Sequence, residues 1–132
     1  MSAFADFRAL VAGALTDLAP VDDNWPVHDA PADAVTPPCF VLVWPDPWLT
    51  PLAVCSYVAN LDVICVAARM DPAPGYVELE AMITAAIPAL RAARVPFVST
   101  GGAQPFEVGG LTYQSARIHV SHTITFPEVS SA

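Results

Sequence analysis

The chain contains no lysine, so its five basic side chains are all arginines, set against thirteen acidic ones. Its formal net charge is therefore −8 over 132 residues. A chain of that sign repels phosphate, which argues against a conventional nucleic-acid-binding protein. The length predicts a single domain over residues 1–132, and a hydrophobic content of 55% provides a packed core with apolar surface left for contacts between chains.

Signals for export or membrane insertion are also missing from the sequence. Asp6 precedes Arg8 in an alanine-rich stretch, where a signal peptide would carry a basic segment. The most apolar run, residues 52–69, is interrupted by polar side chains such as Asn60 and Asp62. We therefore expect a soluble protein, made in the cytoplasm, that has no membrane partner.

Motifs that carry catalysis or bind cofactors are missing as well. There is no GxSxG elbow, phosphate loop, GxGxxG or HExxH. His119 and His122 lie three residues apart on a predicted strand, so they point to opposite faces and cannot share a metal ion without a bulge between them. We expect that the protein has no catalytic residue, binds no metal or cofactor, and is not an enzyme. The alternative, a small α+β enzyme or binding domain, would need Cys55, His119 or His122 to converge in a cleft.

The three cysteines are odd in number and lack CxxC spacing, which argues against a disulfide framework and a zinc site. They are typical of small buried hydrophobic residues. One arrangement would change this interpretation, because a chain turn centred on Asn60 would place Cys55 opposite Cys65 on paired strands.

The run from Leu52 to Arg69 is the most informative segment, because its eighteen residues contain neither glycine nor proline. Fully extended, it would reach about 60 Å, whereas a chain of this length folds to a radius of gyration of about 14 Å. Either the run turns near Asn60 or part of it serves a neighbouring subunit. In both cases we expect its odd-numbered residues to face the core, with Ser56 and Asp62 on the other side.

Helical and extended patterns precede this run. Apolar residues at helical spacing predict a first helix between Ser2 and Pro20. Residues 19–38 carry five prolines and four aspartates without an apolar period, so they predict an extended acidic loop. The continuous apolar residues 39–45 then predict a strand that is buried on both faces.

After the run, a second helix opens within residues 71–75, and Pro88 should bend it. Its expected core positions are Tyr76, Leu79, Ile83, Ala86, Ile87 and Leu90. Glycine turns separate two short strands from a long last strand, whose apolar phase shifts and predicts a bulge near Ser115. This order predicts an α+β fold, with a mainly antiparallel sheet of about four strands and two helices packed on one face.

Five segments follow one another in an order that resembles a known family. They are FADFRALVAGALTDL, then VTPPCFVLVWP with its strand after a double proline, then YVANLDVICVAAR, GYVELEAMITAAIPAL and YQSARIHVSHTITF. This layout, which covers nearly the whole chain, is similar to that of the tail terminator (tail completion) proteins of long-tailed phages, especially those that infect actinobacteria.

The resemblance implies a hexameric ring on the head-proximal end of the tail tube. Such a ring ends tube polymerisation and joins the tail to a head-tail connector or stopper protein, while DNA passes through its lumen without specific binding. It also implies a structural virion protein at the tail-neck junction, without enzymatic activity or a cofactor. The acidity of the chain agrees, because a lumen through which DNA slides should not bind phosphate.

Two sets of candidate residues follow from this hypothesis. Candidates for the subunit interface are Tyr57, Val58, Leu61, Val63, Arg69 and Arg117. Candidates for acids that line the lumen are Asp22, Asp23, Asp29, Asp33 and Asp62. The two arginines would pair with acids across a subunit boundary or, alternatively, lie solvated at strand edges. Another neck protein, such as a connector or stopper, and a dimeric interaction module that buries the long run are the competing hypotheses.

Overall fold

The computed structural model of the chain describes most of its residues. The described ranges are 3–16, 18, 25–28, 37–54, 56–68, 72–95, 97–101, 104–108 and 110–125. Most of the expected acidic loop at residues 19–38 lies outside these ranges, as do Ser2, Cys55 and Arg69.

The described residues form two helices and seven strands, which confirms the α+β class. The helices are α1 (Ala3–Leu15) and α2 (Pro72–Ala92), and the strands are β1 (Val27–His28), β2 (Cys39–Val43), β3 (Leu49–Ala53), β4 (Ser56–Val66), β5 (Phe97–Thr100), β6 (Gln104–Val108) and β7 (Leu111–Thr125). Neither described helix combines the length and the apolar character that a membrane span requires.

The seven described strands join in one mixed sheet. Its order is β1-β2-β4-β7-β5, while β3 pairs with β4 and β6 pairs with β7. Strand β1 runs parallel to β2, and the other described pairs are antiparallel. The expected sheet of about four strands is therefore wrong in size, because short strands next to proline and glycine lack the long apolar period that marks a strand in sequence.

The long run is divided at Val54, where a turn joins β3 to β4. Strand β4 then continues without interruption through Asn60. Of the two alternatives for this run, the turn near Asn60 is not present. Asn60 pairs with Ser121 on one side, and on the other side its backbone amide donates to the Trp48 carbonyl at 2.9 Å. With 11 residues at about 3.3 Å each, β4 spans about 36 Å.

The main core lies between one face of the sheet and both helices. Helix α1 contributes Phe7, Val11 and Leu15, and α2 contributes Leu79, Met82, Ala86 and Leu90. The sheet contributes the odd-numbered residues 59–67, which lie in β4 or directly after it, and residues 116, 118, 120 and 124 of β7. This arrangement confirms the amphipathic first helix and the inward face that the alternation in the long run predicts.

A second, smaller apolar cluster lies on the opposite face of the sheet. Its buried members are Cys39, Val41, Ile64 and Val66. Phe106 and Tyr113, from the β6–β7 hairpin, are half-buried against them. Strand β2 and the end of β4 are therefore buried on both faces, as the continuous apolar residues of β2 predict.

Strand β7 runs straight past the position where a bulge was expected. Its register with β4 is unbroken from Ser115 to Thr125, and its register with β6 is unbroken up to Ser115. The bulge predicted near Ser115 is wrong, because Tyr113 packs into the second cluster and does not need to face the main core.

Helix α2 uses a core face slightly different from the predicted one. Tyr76 is 48% exposed, whereas Met82, which was not among the expected positions, is fully buried. The helix continues through Pro88, where the bend remains a prediction. The Glu78 carboxylate accepts a hydrogen bond from the Ala68 amide, so the helix is tied to the chain that leaves β4.

The C-terminal end of α2 is closed by a Schellman motif. Arg94 N donates to the Arg91 carbonyl and Val95 N donates to the Leu90 carbonyl, both at 2.9 Å. Leu90 and Val95 are both buried, which supplies the hydrophobic contact of the motif. Arg94 has the left-handed conformation with φ 62°, where glycine is the usual residue.

We expect Arg94→Gly to raise the free energy of unfolding by about 0.5–1 kcal/mol. The left-handed conformation costs a residue with a Cβ about 1–2 kcal/mol, and the greater freedom of glycine in the unfolded chain cancels part of that gain. Urea denaturation measures the change. As a matched control, Arg91→Gly, inside the helix, should lower stability by about 1 kcal/mol. A loss of stability in Arg94→Gly would contradict the assigned cap.

Candidate functional site

A buried carboxylate at the centre of the sheet brings together the charged residues of β4 and β7. The Asp62 side chain is 3% exposed. Its Oδ2 accepts a hydrogen bond from Arg117 Nη1 at 3.2 Å, and its Oδ1 accepts one from His119 Nδ1 at 2.5 Å. A carboxylate so far from water needs such partners, because burying an unpaired charge is costly.

The strand register explains why these side chains meet. Asp62 lies directly opposite His119 on β7 and opposite Val43 on β2. Arg117 lies opposite Ile64 and reaches Asp62 along the diagonal, within the range of a long side chain. The alternation of β7 puts Arg117 and His119 on the same face, the one opposite the helices. We call Asp62, Arg117 and His119 the polar triad.

A shallow cavity of about 240 Å³ opens beside this cluster. Asn60, Asp62, Ser99 and His119 line it, with residues 45–47 at one side. Asn60 Nδ2 donates to the Pro47 carbonyl at 3.1 Å, so the side chain ties the loop before β3 to the sheet. The cavity therefore has a floor of polar side chains from three adjacent strands and a wall formed by a proline-rich loop.

The two histidines of β7 lie on opposite faces, as their spacing predicts. His119 belongs to the polar triad, whereas the ring of His122 stacks on that of Phe7 with centroids 5.3 Å apart, on the helix side. They do not converge with each other. Among the described residues, no group of three or more His, Cys, Asp or Glu side chains could hold a metal ion.

The expected interface residues of the long run differ in how accessible the sheet leaves them. Leu61 and Val63 are buried in the main core of their own chain. This corrects the expectation that they contact a neighbouring subunit, because such a contact would require opening the core. Tyr57 and Val58 are half-buried and keep part of their surface accessible. Arg69 lies outside the described residues.

The remaining candidate residues have charged side chains. Arg117 pairs with Asp62 within the chain, so its ion pair does not need a second subunit. Asp62, expected among the acids that face a lumen, is buried and shares its charge with two partners. The other candidate acids, Asp22, Asp23, Asp29 and Asp33, lie outside the described residues.

Two of the three cysteines are buried and free, which confirms their interpretation as small hydrophobic residues. Burial raises the pKa of the Cys39 thiol to about 11. Burial, with Cys39 nearby, raises the pKa of the Cys65 thiol to about 12. Thiols in this state are poor nucleophiles, because the thiolate is the reactive form.

The tip of the β3–β4 hairpin carries two exposed apolar side chains. Leu52 is 60% exposed and Val54 is 84% exposed. Within the described part of the chain, β3 pairs with β4 alone, so its other edge is open. We call Leu52, Val54 and the open edge of β3 the hairpin patch.

An aromatic cluster supports the base of this hairpin. Trp44 and Trp48 stack with ring centroids 4.9 Å apart, and Phe4 of α1 contacts them at 5.5 and 5.1 Å. Trp48 remains 46% exposed. The cluster packs the loop before β3 against α1, next to the start of the hairpin.

Sequence reasoning found each member of the polar triad singly and missed their association. The one signal was a lone acid inside an apolar strand together with two basic side chains on another long strand. That signal identifies partners only when the pairing of β4 with β7 is known. Comparison with models of known protein families and with curated proteins found no match.

Proposed function

We propose that this chain is a structural protein that assembles as a ring, a hexamer at the neck of a long-tailed phage, where it ends polymerisation of the tail tube. The hairpin patch is the observation that supports this proposal most directly. Single exposed apolar residues are ordinary, but two at the tip of a hairpin, next to an open sheet edge, form a surface that suits a protein partner.

The geometry of β3 favours packing of side chains over continuous strand pairing. Because the Asn60 amide donates to the Trp48 carbonyl, alternation directs the backbone groups of Leu49 and Pro51 away from β4. Proline has no N–H, so it blunts this open edge. Leu52 and Val54 would therefore contribute contacts between subunits chiefly through their apolar side chains, with the half-buried Tyr57 and Val58 beside them.

The net charge of the chain also supports the ring proposal, with one change to the predicted lumen acids. The chain has a formal net charge of −8, which opposes binding of the DNA that would pass through the ring. Asp62 is neutralised within its own chain and adds little to an acidic lumen. Under this proposal the lumen acids belong to residues 19–38. The partners are other copies of the chain, the tail tube protein, and a connector or stopper protein in the virion.

The proposal is tested by the double variant Leu52→Asp/Val54→Asp. We expect it to fold normally, because both side chains are exposed, but to weaken ring formation about tenfold or more through loss of apolar burial and repulsion between charges. Light scattering and negative-stain microscopy, with tail tube protein present, measure the assembly. In phage complementation, the variant should produce tails of uncontrolled length.

The matched control is Leu111→Asp, at the tip of the other hairpin, where the side chain is 51% exposed. It should assemble like the wild type. Wild-type protein that stays monomeric beside tail tube protein would overturn the ring proposal. Rings that bind a connector but leave tail length unregulated would instead identify another protein of the phage neck.

A further inference from the structure

We propose that Ser99 is an activated serine that accepts acyl groups from small esters, with His119 as its base and Asp62 as the residue that positions the base. This inference goes beyond the ring function and does not depend on it. It rests on the order of three residues across three adjacent strands. Because it concerns a single chain, it is tested on the protein in solution without any phage component.

The three residues form one row across the sheet. Ser99 on β5 is paired with His119 on β7, next to a shift in the β5 register, and His119 lies directly opposite Asp62 on β4. Side chains of directly opposed residues lie on one face with Cβ atoms about 5 Å apart. All three line the same cavity, which has a volume of about 240 Å³. Such a volume suits a small ester such as an acetate, being below the usual range of sites for drug-sized ligands.

The hydrogen bond to Asp62 fixes both the tautomer and the direction of the imidazole. Because the carboxylate accepts from Nδ1, the neutral ring has its lone pair on Nε2, the nitrogen that acts as a base. Nε2 lies near Gly101, the residue that follows β5, since a Cβ placed on Gly101 would be 3.6 Å from it. Glycine at this position leaves that side of Nε2 uncovered. Arg117 holds the second oxygen of Asp62, so the carboxylate cannot rotate freely.

These residues supply a serine, a base and an orienting acid, the three roles of nucleophilic catalysis, and the proposal requires Ser99 Oγ to move within hydrogen-bond distance of His119 Nε2. Ser99 Oγ would bond to the carbonyl carbon of the ester while its proton passes to His119 Nε2. Collapse of the tetrahedral intermediate would break the bond to the alcohol oxygen, which takes the proton from His119. Water would then attack the acyl-serine by the same route and release the carboxylic acid and the free hydroxyl. Ester and water are consumed, and acid and alcohol are formed.

A fluorophosphonate probe, which phosphonylates activated serines, tests the proposal. We expect labelling of wild-type protein at Ser99, identified by peptide mass spectrometry. Ser99→Ala should abolish it, and His119→Asn should slow it by about 10²–10⁴-fold, the usual contribution of a positioned base. Ser121→Ala, two residues after His119 on the same face of β7, is the matched control and should be labelled like the wild type.

Hydrolysis of p-nitrophenyl acetate separates positioning by Asp62 from a purely structural role. We expect Asp62→Asn to lower kcat by about 100-fold or more and to leave KM within about twofold, because a positioning residue acts on the base and not on ester binding. Circular dichroism shows whether each variant is folded. Ser99 is exposed, so Ser99→Ala decides the outcome even if Asp62→Asn unfolds. Absence of labelling in the wild type, or unchanged labelling in Ser99→Ala, would overturn the proposal.

Discussion

Leu61→Ala is expected to lower the free energy of unfolding by about 2–5 kcal/mol, the range for removal of a large buried side chain. Leu61 is 1% exposed and belongs to the main core, between its β7 partner Val120 and the two helices. Truncation leaves a cavity that β4 is poorly able to close, because the strand is paired with β7 along its whole length. A loss of this size is a large part of the stability of an ordinary domain, about 5–15 kcal/mol.

Leu52→Ala is the matched control, since it removes the same atoms from the same run where the side chain is 60% exposed. Its expected effect on the free energy of unfolding is within about 0.5 kcal/mol. Guanidinium denaturation followed by tryptophan fluorescence measures both variants. Equal losses from the two substitutions would show that the hairpin patch is part of the core and would remove the main support for the ring proposal.

This pair of variants separates two roles that lie side by side in one apolar run. Residues 56–67 stabilise the monomer, and the preceding turn and β3 carry the accessible surface. Deletion of residues 57–63 would remove the centre of β4 and unfold the chain, so it cannot test assembly. Substitutions at Leu52 and Val54 can, because they leave the core intact.

The parts of the fold that were predictable from sequence are those governed by local periodicity. Phe7, Val11 and Leu15 repeat at helical spacing, so α1 and its buried face followed directly. Alternation in the long run predicted that Leu61 and Val63 face inward. The same rule separated His119 from His122.

The errors arose where long-range pairing overrides local pattern. A turn at Asn60 was one of two alternatives for the run, yet Asn60 is held in the strand by partners on both sides, and the turn falls at Val54. Tyr113 was out of phase with the main core, and sequence offers no sign of a second cluster that accepts it. Tyr76 had the spacing of a core residue but lies at the rim of the helix face, where only the position of the sheet decides burial.

The polar triad shows the same limit at the candidate site. Asp62 and Arg117 are separated by 55 residues, and a shift of one residue in the register of β4 on β7 would move Asp62 away from His119. Sequence can identify an acid in an apolar strand as unusual. It cannot say whether that acid faces a lumen or an arginine of its own chain.

Arg117→Met is expected to lower the free energy of unfolding by about 1.5–3 kcal/mol, the range for a hydrogen bond to a charged group. In this variant the carboxylate of Asp62 stays buried and keeps only His119 as a partner. Removal of one partner from a buried ion pair therefore costs more folding stability than the intact pair contributes. The side chain of Arg117 is 38% exposed, so solvent screening holds the loss below that of a fully buried pair.

The double variant Arg117→Met/Asp62→Leu should regain most of this stability, because replacing both charges by apolar side chains leaves no buried charge without a partner. Urea denaturation of the two single variants and the double variant forms a cycle, with an expected coupling energy of about 1.5–3 kcal/mol. Arg91→Met, at an exposed position of α2, is the control and should change stability by less than about 0.5 kcal/mol. Additive losses in the double variant would mean that the ion pair does not hold Asp62 in place. Recovery of stability together with loss of fluorophosphonate labelling would show that the buried carboxylate serves the chemistry of His119 and not the fold.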